Sequence, residues 1–172
     1  MATKRPGLSL KGRALALLAQ REHSASELRR KLLRHVRKKV AAGAAHPAGD
    51  ADPAGDADPA DDAVARVQAV LDWLQVHDYL SETRFVESRV HARAPRYGNL
   101  RIRQELAQHG LALDAEAAQA LKDSELDRAA DVWRRKFGAP PADAAERARQ
   151  SRFLAQRGFS PEVISRLMRR AG

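Results

Sequence analysis

The chain has 172 residues, with 31 Lys and Arg against 22 Asp and Glu, a net charge of +9 and no Cys. The lack of Cys excludes disulfides and thiolate metal sites, and no apolar run approaches the roughly 20 residues that a membrane span needs. The start, Met1-Ala-Thr-Lys-Arg-Pro-Gly7, is basic but has no apolar stretch of the signal-peptide kind, so a soluble, cytoplasmic protein without membrane contact is expected. Ala, Leu, Arg, Glu and Gln dominate while β-branched and aromatic residues are few, a composition that favours helix throughout.

In chain order, the first 40 residues carry twelve Lys and Arg against Glu22 and Glu27 alone. Ser24 with Glu27 makes a capping box that opens a helix near Ala25, in which Leu28, Leu32, Val36 and Val40 recur on one side. Arg30, Lys31, Arg34, Arg37 and Lys38 gather on the opposite side. Like charges four residues apart repel by roughly a few tenths of a kcal/mol per pair. Such a stripe is either a solvated face or a contact for an anionic partner, and the second reading explains it better.

Residues 43–62 follow, containing a tandem Pro-Ala-Gly-Asp-Ala-Asp repeat from Pro47 to Pro59, and residues 41–63 hold six Asp and no base. With nothing to bury and prolines that interrupt helix and strand alike, this stretch reads as a disordered spacer. Its spaced aspartates lack the bidentate Glu and the spacing of a calcium loop.

Asp61 and Asp62 then open a helix containing Val64, Val67, Val70, Leu71 and Leu74, and Ser81 caps one with Phe85, Val86 and Val90. A second basic set, Arg89, Arg93, Arg96, Arg101 and Arg103, runs through a loop marked by Pro95 and Gly98. Arg101 and Glu105 have the spacing of an i,i+4 ion pair, which leaves Arg96 and Arg103 freer. Tyr97 is either a packing anchor or a stacking partner for a base. Ile102 and Leu106 face inward on the next helix, Asp114 caps a short Ala-rich one, and Ser124 with Asp127 makes a further capping box for a helix carrying Leu126, Ala129, Ala130, Trp133 and Phe137. Helices near 143–157 and 161–170 bring the expected number to about nine, the last with Ser160 as cap and Pro161 in the first helical position.

These helices repeat. Gln104-Glu-Leu-Ala-Gln-His-Gly-Leu-Ala-Leu-Asp114 parallels Arg152-Phe-Leu-Ala-Gln-Arg-Gly-Phe-Ser160, and Leu106 and Leu154 lie 48 residues apart, the scale of helical repeats. The expected architecture is all-α. Three tandem three-helix, helix-turn-helix-like units at 8–78 (interrupted by the 43–62 spacer), 79–122 and 123–172 would form an elongated, modular molecule.

The stretch from Arg96 to Leu111 looks like the entrance to a DNA-reading helix-turn-helix. The helix that would enter the groove, however, begins Asp114-Ala-Glu116, and those carboxylates suit its own N-terminus rather than a duplex. The motif is therefore architectural. The last helix carries Arg166, Arg169 and Arg170, but late, away from a reading end. The six His show no ligand spacing, and glycine-rich phosphate loops and nucleophile elbows are absent. No catalytic residue, metal or cofactor is expected.

Four segments carry a resemblance to a known family: Arg21–Leu33, Leu74–Phe85, Tyr97-Gly98 followed by Arg101–Leu106, and Arg152–Ser160. In this order, over roughly residues 9–170, the chain resembles the RecX regulatory proteins, which act on the recombinase RecA; the spacer is a departure from their pattern. The resemblance implies three tandem three-helix units. It also implies binding along the groove of the RecA–DNA filament, with inhibition of ATP hydrolysis, filament growth and strand exchange. No catalytic residues come with it. The two basic sets are then the expected contacts with RecA acids and DNA phosphates, in a protein that is itself a monomer. The rival expectation is a stand-alone, non-specific DNA-binding repeat protein.

Overall fold

The computed structural model describes residues 8–41 and 59–171. Eight helices occupy them, α1 (Leu10–Leu18), α2 (Ala25–Ala41), α3 (Pro59–Val76), α4 (Glu82–Arg93), α5 (Asn99–Ala107), α6 (Ala115–Lys136), α7 (Ala144–Gln156) and α8 (Pro161–Ala171). No strand occurs among the described residues. The chain packs as two units, one running to Phe85 and the other from Val86.

In the first unit α1, α2 and α3 close on Ala14, Leu28, Leu32, Val36, Val67, Leu71 and Leu74. The Ser24 hydroxyl accepts the Glu27 N–H at 3.1 Å, as a capping residue should. The expected stripe of α2 fails at its end, where Val40 is 53% exposed. Steps of four residues advance about 40° around a helix each time, so by Val40 the row begun at Leu28 has turned away from the core. Most of the 43–62 spacer lies outside the described residues. Its last four residues, though, belong to α3, which starts at Pro59 rather than at Asp61. Proline suits a first helical position because its missing N–H has no intrahelical partner there.

The second unit departs from expectation at α6. Two helices were expected, one capped by Asp114 and another by Ser124, yet α6 runs unbroken for 22 residues through the 122/123 position where one unit was expected to end. Asp114 does cap it, accepting the Ala117 N–H at 2.7 Å. Ser124 instead turns its hydroxyl back along the helix, donating to the carbonyls of Ala120 (2.9 Å) and Leu121 (3.3 Å). A serine bonded this way sits within a helix without ending it. The second half of α6 packs with α7 and α8 around Ala129, Trp133, Leu154, Phe159, Leu167 and Met168, and Trp133 donates its indole N–H to the buried Gln150 at 2.7 Å.

Three helices end in the same turn. Tyr79, Leu111 and Phe159 donate their N–H to Leu74, Leu106 and Leu154, with Asp78, Gly110 and Gly158 at positive φ between them. This is the six-to-one closure of a Schellman turn. Gly158 has a second duty. A Cβ on Gly98 would come within 2.2 Å of Gly158 O, and one on Gly158 within 2.5 Å of the Arg101 nitrogen. The turn before α5 and the turn before α8 are thus in backbone contact, with Gly98 N–H donating to Arg157 O (2.9 Å) and Leu100 N–H to Gly158 O (3.0 Å).

The glycines therefore differ in what they tolerate. Gly110→Ala meets open space and should cost only the left-handed strain of about 1–2 kcal/mol. Gly98→Ala forces backbone apart and should cost about 3 kcal/mol or more. Urea unfolding of the two variants checks the ranking, and equal midpoints would contradict the close approach.

Candidate functional site

The fold sorts the ten basic residues named from the sequence into those held by internal partners and those facing outward. On α2, Arg30, Arg34, Arg37 and Lys38 are exposed, and none has an acidic partner among the described residues. Lys31 belongs elsewhere. Its Nζ lies 3.3 Å from Glu27 Oε1 and 2.8 Å from His23 Nε2, so the stripe has four outward members.

Glu27 is buried on the core side of α2 beside Leu28. Arg21 grips it with both terminal nitrogens, at 3.1 Å for Nη1 to Oε2 and closer still for Nη2 to Oε1. Burial pushes the Glu27 carboxyl upward, but the bonds and charge of Arg21, with Lys31 beside it, outweigh it and bring the pKa from 4.5 to about 2. His23 is buried with Nδ1 against Arg21 O at 2.9 Å. Since Lys31 donates to Nε2, the ring is neutral with its proton on Nδ1. Burial, first, and the charges of Arg21 and Lys31 hold its pKa below the ordinary value.

In the second unit the expected Arg101–Glu105 pair does not form. Glu105 is taken by α4, with Arg89 Nη1 at 3.2 Å and Arg93 Nε at 2.9 Å. Two arginines one turn apart on a neighbouring helix make a fork that a single residue on the same helix cannot match. Glu105 in turn raises the Arg93 pKa above its ordinary value. Arg101 lies instead over the Tyr97 ring, with its guanidinium carbon 5.5 Å from the centroid, and that of Arg93 is 5.8 Å away. Tyr97 is an anchor for arginines, a cation–π arrangement. The outward members here are Arg96, Arg101 and Arg103.

What sets this loop and helix in place is α6. The buried Glu125 accepts from Asn99 N–H (3.0 Å) and Asn99 Nδ2 (3.1 Å) at the start of α5, and from Ser160 N–H and Oγ (both 3.2 Å) at the start of α8. One carboxylate thereby serves the positive ends of two helices. One turn on, Arg128 donates to the carbonyls of Ala94 (3.2 Å), Tyr97 (2.8 Å) and Leu121 (2.9 Å) and to Asn99 Oδ1 (2.5 Å). Arg135 adds a bond to Pro95 O at 2.7 Å. The carbonyls on both sides of Arg96 are therefore fixed, and Arg96 itself points out.

Sequence reasoning missed this node. The available signal was a Glu placed four residues from both Leu121 and Ala129, on the buried side of a helix. Such a position is filled by a charge only when buried donors await it. Arg134, Arg135, Arg128, Asp131 and Pro95 also line an open recess, but Arg134 is paired with Asp131 at 2.8 Å and the other two guanidiniums bind carbonyls. No group of three His, Asp or Glu among the described residues could hold a metal ion, and no helix described is long and apolar enough to cross a membrane.

Known proteins match this chain along nearly its whole length. Models of the second and third three-helix domains of RecX match residues 81–121 and 123–168. The regulatory protein RecX of Leptothrix cholodnii is 49% identical over 99% of this chain and 94% of its own. That of Ralstonia nicotianae is 47% identical over 99% and 93%, and that of Herbaspirillum seropedicae 45% over 93% and 89%.

The Glu27 cluster predicts an acid-labile first unit. A carboxyl at 4.5 unfolded and about 2 folded stabilises the fold by about 3 kcal/mol above pH 4.5, and that stability is lost as pH falls through the folded value. His23, also depressed in the fold, begins the loss below its ordinary 6.5. Glu27→Gln should be less stable at pH 7 and show a flatter decline below pH 4.5; parallel wild-type and variant curves would contradict the cluster.

Proposed function

The chain belongs to the RecX family of regulatory proteins, and from that membership we propose that it binds RecA and RecA–DNA filaments in the cytoplasm and restrains them. In this reading it inhibits RecA ATP hydrolysis, filament growth and strand exchange, and so modulates recombination, DNA repair and the SOS response. It works as a monomer, without cofactor or catalysis of its own. Its units are 8–78, 79–122 and 123–172, the last two sharing α6.

The observation that carries the reading is the outward row Arg30, Arg34, Arg37 and Lys38, four cations on one helix face with no acid among the described residues to answer them. Mutual repulsion along such a row is relieved by a polyanion, whose condensed counterions are released on contact. A filament of protein on DNA offers phosphates and carboxylates together. Arg96, Arg101 and Arg103 form the second contact, held ready by the bonds from α6.

The test is single-strand-dependent ATP hydrolysis by RecA with this protein titrated in. Inhibition at less than one molecule per RecA supports a filament regulator. No effect at equimolar protein, with good DNA binding in the same buffer, gives the case to a stand-alone DNA-binding protein. Reversing Arg30, Arg34 and Arg37 together to Glu should raise the concentration needed for inhibition about tenfold or more at low salt, and flatten the salt dependence by about one unit of slope per arginine that meets a phosphate. A variant that inhibits like wild type across a salt titration makes the row a solvated face only.

A further inference from the structure

Helix α5 shows Arg101, Arg103, Gln104 and Ala107 to solvent, while Ile102 and Leu106 are buried and Glu105 is engaged by Arg89 and Arg93. In the midst of this face stands Leu100, 53% exposed, the only large apolar side chain so exposed among the described residues of the second unit. Single exposed leucines are common on protein surfaces. This one coincides with two further facts. It lies one turn from Arg103 and Gln104 on an outward face that carries cations and no free acid. It is also rigidly presented, its own N–H bonded to Gly158 O at 3.0 Å and the preceding residue held by Glu125.

A phosphodiester backbone rewards charge and offers nothing to a leucine. A protein surface with carboxylates around an apolar recess rewards both, because a buried apolar anchor ringed by arginines is the usual make-up of a protein–protein contact centre. Charge complementarity fixes the rim, and Leu100 fixes the middle.

We infer that the outward face of α5, centred on Leu100 with Arg101 and Arg103, docks on the RecA protein of the filament, at an acid-rimmed apolar recess, and not on the phosphates of its DNA. This rests on the RecA-directed reading above and names the kind of surface that this helix meets. Tyr97 supports the assignment, since its ring is occupied by its own chain's arginines and is not offered to a base.

A substitution that adds charge separates the two classes of partner by sign. Leu100→Lys leaves the buried residues untouched and gives the face one more cation. If α5 meets phosphates, the variant binds and inhibits more tightly; if it meets a protein recess, it inhibits less. Leu100→Met, which keeps an apolar side chain, serves as the rescue.

The experiment uses the full chain, with binding to a fluorescent single-stranded oligonucleotide measured beside inhibition of preformed RecA filaments. Urea midpoints confirm that both variants fold. The expected result is that Leu100→Lys needs about tenfold more protein for half-inhibition, binds the oligonucleotide at least as well as wild type, and that Leu100→Met stays close to wild type in both. Leu100→Lys inhibiting as well as wild type or better overturns the inference while leaving the functional reading intact. A wild-type chain that never inhibits overturns the functional reading, and this inference with it.

Discussion

A single buried carboxylate organises the second unit. Glu125 accepts four hydrogen bonds, two from Asn99 and two from Ser160, and so fixes the first turns of α5 and α8 against the middle of α6. Both helix starts present N–H groups that have no partner within their own helix. Buried and unanswered, each would cost about 1–3 kcal/mol, and answering both with one side chain forces the two turns together. The absence of a Cβ at Gly98 and Gly158 follows from that demand, because at 2.2 Å and 2.5 Å there is no room for one. Arg128, half-buried one turn along and pushed below its ordinary pKa by burial against the pull of Glu125, gathers the carbonyls of the same loop.

The arginines of this chain divide by the partners that the fold supplies. Arg21, Arg89, Arg93 and Arg128 meet carboxylates or carbonyls and act as internal struts. Arg30, Arg34, Arg37, Arg96 and Arg103 face outward. A count of basic residues cannot make that division, since residue type and charge are the same in both groups and only the partners differ. It is the outward group that gives the regulatory role proposed for the chain a physical basis, and the inward group that keeps the outward one in register.

Much of the fold was legible in the sequence because it rests on local chemistry. Capping by Ser24, Ser81 and Asp114 is visible from residue type, as are the stops at Gly110 and Gly158 and the inward rows on α2, up to Val36, and α5. What escaped depends on partners distant in sequence. Ser124 and Asp127 look like a cap locally, but the packing of α6 on both sides of that point carries the helix through. Glu105 has a suitable partner at Arg101, yet α4 supplies two better ones. Glu125 reads as one more surface acid until α5 and α8 are seen to converge on it from 26 and 35 residues away. In the candidate surface, seven of the ten residues named from sequence face outward, while Lys31, Arg89 and Arg93 have carboxylate partners in Glu27 and Glu105.

If Glu125 is the constraint on which the second unit depends, removing its carboxylate must loosen two places at once. Amide hydrogen exchange on Glu125→Ala, compared with the intact chain under native conditions, measures this directly. The account predicts that protection falls together at the start of α5, around Asn99 and Leu100, and at the start of α8, around Ser160, while α1 to α3 are unchanged. Loss confined to the first turn around Asn99, or no loss at either helix start, would contradict it.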